Sequence, residues 1–88
     1  MRHLLGQKVS EIKVKVARYE AMLRDALARA ESATHQEESN DFLMMARAYY
    51  EDGCYFRERE DMVNALACFS YGHGWLDAGL CAGALRSH

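Results

Sequence analysis

Apolar residues recur at Val9, Ile12, Val16, Tyr19, Leu23, Ala26 and Ala30, in alternating steps of three and four. That spacing places them on one stripe of an α-helix. Met22 and Leu27 widen the stripe towards the face of a globular bundle, and Lys13, Lys15, Arg18, Glu20, Arg24, Asp25, Arg29 and Glu31 fill much of the remainder. The pattern predicts a first helix over about 8–32, with Ser10 able to cap a frayed start. Residues 33–40 are polar and read as a connection. Thr34 or Ser39 could cap the next helix, and Glu37 and Glu38 suit a first helical turn because they oppose its positive end.

A second helix is predicted over about 40–57, with Phe42, Met45, Ala46, Tyr49, Tyr50 and Phe56 at helical spacing. Residues 57–60 are charged and break the pattern, and Asp61 is placed to cap a third helix over about 61–82. That helix carries Met62, Ala65, Leu66, Phe69, His73, Leu76 and Leu80 on one stripe. Residues 82–88 are small and polar and are expected to fray. Two short links between three helices predict an all-α fold, a three-helix up-down-up bundle in one domain. The absence of proline permits helices without interruption.

Composition sets limits on function. The chain has 88 residues, half of them apolar, and a formal net charge of −2. A chain this short buries only about 60% of its unfolded surface, so well-packed helices or association with another protomer are needed for stability. The net charge argues against a broad basic field for nucleic acid. It is nonetheless uneven: residues 1–31 hold seven Lys/Arg against four acids, and 32–88 hold four against nine. Helices of opposite sign that attract on packing are the plain reading. A basic first helix that contacts RNA, through Lys8, Lys13, Lys15, Arg18, Arg24 and Arg29, is the alternative.

Cys54, Cys68 and Cys81 are odd in number and lack the Cys-x-x-Cys pairing of zinc sites. They read as reduced core thiols of a cytoplasmic protein. The first residues lack the apolar run of a targeting segment, and no stretch approaches the ~20 apolar residues of a membrane span.

The residues from Tyr49 to Gly79 carry more information. They include Tyr49-Tyr-Glu-Asp-Gly-Cys-Tyr-Phe56, Asp61-Met-Val-Asn-Ala65 and Ser70-Tyr-Gly-His-Gly-Trp-Leu-Asp-Ala-Gly79. This resembles the archaeal family known as domain of unknown function 357. Its members look like small three-helix bundles with a tyrosine-rich second helix, an acidic cap and a third helix ending in Tyr-x-x-Gly-x-Leu-Asp-Ala-Gly. Where the family tends to have a small residue before the capping acid, often glycine, this chain has Glu60. The resemblance implies a fold and no activity.

Within that segment His73 falls on the apolar stripe, with Asp77 one turn later on the same side. A histidine oriented by a carboxylate is how a general base is prepared, but it is also an ordinary way to satisfy a core polar group. Counting outward from the turn places Asp52 level with Leu66 rather than with His73. His3, His35, His73 and His88 are far apart and offer no paired metal ligands. Gly72, Gly74, Gly79 and Gly83 follow no strand and open no helix, so they do not form a phosphate loop. Glycines inside a helix cost about 0.5–1 kcal/mol each relative to alanine, which points to close approach of another helix or to a shallow groove. Tyr19, Tyr49, Tyr50, Tyr55, Tyr71 and Trp75 suit either a thin core or an interface.

The sequence therefore predicts an interaction module or homo-oligomer without catalytic residues, cofactor or metal, whose contact residues include Tyr49, Asp52, Tyr71, His73, Trp75 and Asp77. An enzyme or ligand-binding bundle centred on His73 and Asp77 is the competing expectation. An amphipathic membrane helix is not expected, because acids interrupt the first helix.

Overall fold

The computed structural model describes the backbone of residues 2–33 and 37–88, and the side chains of 11–33 and 41–88. Three helices dominate: α1 (Arg2–Arg29), α2 (Glu37–Glu58) and α3 (Met62–Cys81). Two short strands, β1 (Ala30–Ser32) and β2 (Leu85–Ser87), form an antiparallel ribbon that pairs Ala30 with Ser87, Glu31 with Arg86 and Ser32 with Leu85. The chain is thus mainly helical, and the ribbon is an addition to the expected all-α architecture.

The heptad-like stripe of α1 does what its spacing predicts. Val16 and Leu23 are fully buried, and Ile12, Tyr19, Ala26 and Ala30 pack against the core. Val9 and Ser10 lie outside the described side chains. α2 and α3 meet in opposite chain directions: Phe42 contacts Trp75, Tyr50 contacts Phe69 and Tyr49 contacts Tyr71, with ring centroids 5.5–6.0 Å apart. Leu43, Ala46, Ala65, Phe69 and Leu76 complete the buried core with Leu85. Leu80, expected on the core stripe of α3, is 40% exposed; Gly79 takes the inward position instead.

The turn between α2 and α3 follows from its hydrogen bonds. Glu60 N–H donates to Arg57 O at 3.0 Å and Asp61 N–H to Phe56 O at 2.9 Å, closing α2 in a Schellman cap. Glu60 occupies the left-handed position of that cap at φ 62°. Asp61 then caps α3 as expected, its Oδ1 accepting from Asn64 N–H at 3.3 Å and its Oδ2 from Asn64 Nδ2 at 2.7 Å. Of the two candidate caps for α2, Thr34 lies outside the described residues. Ser39 lies inside α2, which begins at Glu37.

The end of the chain departs from expectation. Residues 82–88 do not fray, because α3 ends in a second Schellman cap: Gly83 N–H donates to Leu80 O at 3.2 Å and Ala84 N–H to Gly79 O at 2.9 Å. Gly83 supplies the positive φ of 73°. The reversal sends Leu85 into the core at 3% exposure and aligns its strand with β1. Ala33 N–H to Ala84 O and His88 N–H to Arg29 O extend the ribbon at both ends, each at 2.9 Å. β1 in turn begins where the first helix was expected to continue, since Ala30–Ser32 gain ladder partners from the returning chain.

Candidate functional site

α3 is the element on which the candidate residues converge, and its helical geometry sorts them onto different sides. With about 100° of turn per residue, Ala65, Phe69, Gly72, Leu76 and Gly79 point inward, and all five are buried. His73 and Asp77 fall on the flank towards α1, where with Tyr19, Met22 and Ser70 they line a shallow groove of about 320 Å³. Tyr71 and Trp75 fall on the flank towards α2, Tyr71 in tilted contact with Tyr49 and Trp75 edge-on to Phe42. Asp52 is exposed on α2 near Cys68, whose thiol is pushed up first by burial and then by the negative charges of Asp52 and Asp61. The six expected contact residues therefore split between two flanks, with Asp52 apart from His73.

His73 is half-buried, its Nε2 is covered, and no described group hydrogen-bonds to it. No hydrogen bond joins it to Asp77, so the carboxylate does not orient the ring. A covered polar atom without a partner costs about 1–3 kcal/mol. Among the described residues, no three His, Cys, Asp or Glu side chains come together as a metal site.

The glycines have three separate roles. A β-carbon on Gly72 would stand 2.6 Å from Leu23 Cδ2 and 3.3 Å from Ala46 O, so this glycine admits both neighbouring helices. Gly79 admits Leu85, and Gly83 caps the helix. Gly74 has nothing within 4 Å of where its β-carbon would be. Close approach inside the chain explains Gly72 and Gly79, while Gly74 faces open space.

A polar cluster that the sequence did not reveal joins α1 to α2. Arg57 Nε donates to Glu20 Oε1 at 2.5 Å, and Cys54 Sγ donates to the same oxygen at 3.4 Å. Burial pushes the Cys54 thiol up, and its hydrogen bond to Glu20 pushes the same way. A second cluster closes the ribbon, where Arg86 and His88 both reach Glu31. In both, the acid comes from the basic part of the chain and the base from the acidic part. Among the described residues, these contacts therefore run against the bulk asymmetry of charge. One signal for Glu20 was present: it directly follows the stripe residue Tyr19, a position from which charges bridge packed helices.

Cys54 and Cys68 are half-buried and Cys81 is exposed, so only the first two approach the expected core thiols. All three are unpaired. No helix among the described residues is long and apolar enough to cross a membrane.

Comparison with known proteins agrees with this architecture. A crystal structure of a protein from Archaeoglobus fulgidus assigned to DUF357 matches with a TM-score of 0.79 at 24% identity, over 91% of this chain and 97% of that one. At that identity the likeness is one of fold. No curated protein matches the chain. The family model described as protein of unknown function (DUF357) matches residues 18–85, from the middle of α1 through both Schellman caps to the buried Leu85. This chain belongs to the DUF357 family.

Proposed function

We propose that this protein is a non-catalytic interaction module of the cytoplasm, a one-domain, up-down-up three-helix bundle that offers α3 to another protein. One observation carries the reading. Between Met62 and Cys81 the only charged residue is Asp77, yet an outward face of this apolar helix is open to solvent. Val63 is 70% exposed and Tyr71 61%. A surface helix ordinarily carries charge on its outer side, and exposed apolar surface rimmed by polar groups marks docking sites. The three unpaired thiols favour a reducing compartment. Catalysis is the weaker reading because His73 lacks its carboxylate. Binding of RNA is weaker too, since Glu11, Glu20 and Asp25 interrupt the basic residues of α1.

A photo-crosslinking amino acid at Tyr71 or Val63, in native extract, tests the proposal against the same probe at Asp25 on α1. Protein adducts specific to the α3 positions are expected. Equal labelling from Asp25, or no adduct from α3, overturns it.

A further inference from the structure

We draw no further inference here: the strongest candidate, the shallow groove between α1 and α3 lined by Tyr19, Met22, Ser70, His73 and Asp77, carries none because nothing in the structure shows what occupies it.

Discussion

Gly79 and Leu85 occupy one site: a β-carbon on the glycine would stand 2.5 Å from Leu85 Cδ1 and 2.7 Å from its Cγ. The contact turns the end of the chain from a tail into part of the core. It crosses the second Schellman cap, so a missing side chain on α3, a left-handed residue at Gly83 and an apolar residue two positions later act as one device. Leu85→Ala should therefore cost about 2–4 kcal/mol, the usual range for emptying a core site. Gly79→Ala should destabilise by about 1–2 kcal/mol, the overpacking being partly offset by better helix propensity. Urea unfolding of both variants checks this; a wild-type midpoint for Leu85→Ala would mean that the ribbon does not anchor the core.

The two Schellman caps predict opposite responses. Glu60 holds φ 62° with a side chain that disfavours it, so Glu60→Gly should stabilise by about 1 kcal/mol. Gly83→Ala should destabilise by a similar amount. Thermal melting should separate the pair by several degrees in opposite directions.

Gly72 and Gly74 are two residues apart and should also diverge. Gly72→Ala drives a methyl group against Leu23 and the Ala46 carbonyl and should cost about 1–3 kcal/mol. Gly74→Ala meets nothing and should raise monomer stability by about 0.5–1 kcal/mol. Melting at low micromolar concentration isolates this effect from any association.

The cysteines should differ in reactivity. Burial raises the Cys54 and Cys68 thiols above their ordinary value, so both hold less thiolate at neutral pH, and both are also partly covered. Cys81 is exposed. Iodoacetamide at pH 7.5 and subsequent peptide mapping should label Cys81 first. Faster labelling of Cys54 would contradict its donation to Glu20.

Acid should loosen the ribbon before the helices. Hydrogen bonds from His88 and then Arg86 hold the Glu31 carboxyl below its ordinary value of 4.5. A lowered folded value means that the ionised form favours the folded state. Its contribution is present above about pH 4.5 and is lost as pH falls through the folded value. Amide exchange at Ala33 and His88, whose N–H groups close the two ends of the ribbon, should accelerate over that range relative to the core of α3. Glu31→Gln should remove most of the pH dependence.

Much of the fold was legible because helical periodicity and capping are local. The α1 stripe from Ile12 to Ala26, the Asp61 cap and the break before it all rest on neighbours within four residues, and each behaves as its spacing implies. The DUF357 resemblance rested on segments of the same kind, and its glycine before the capping acid corresponds to the left-handed position that Glu60 fills. The cap at Gly83 could have been read as well, since a glycine just past the last periodic residue is a helix-stop signal. The small, polar look of the last seven residues hid it.

The sequence by itself determined three helices, most of their apolar stripes and the cap between the last two. Only the tertiary structure decided which side of α3 each candidate residue took. It paired Glu20 with Arg57 and Glu31 with Arg86 against the bulk charge pattern, and it drew Leu85 into the core. The reason is physical. Periodicity records which residues avoid water, a property of each short stretch. Which groups meet across 34 to 55 residues of chain depends on how the helices pack, and that information is shared among distant segments.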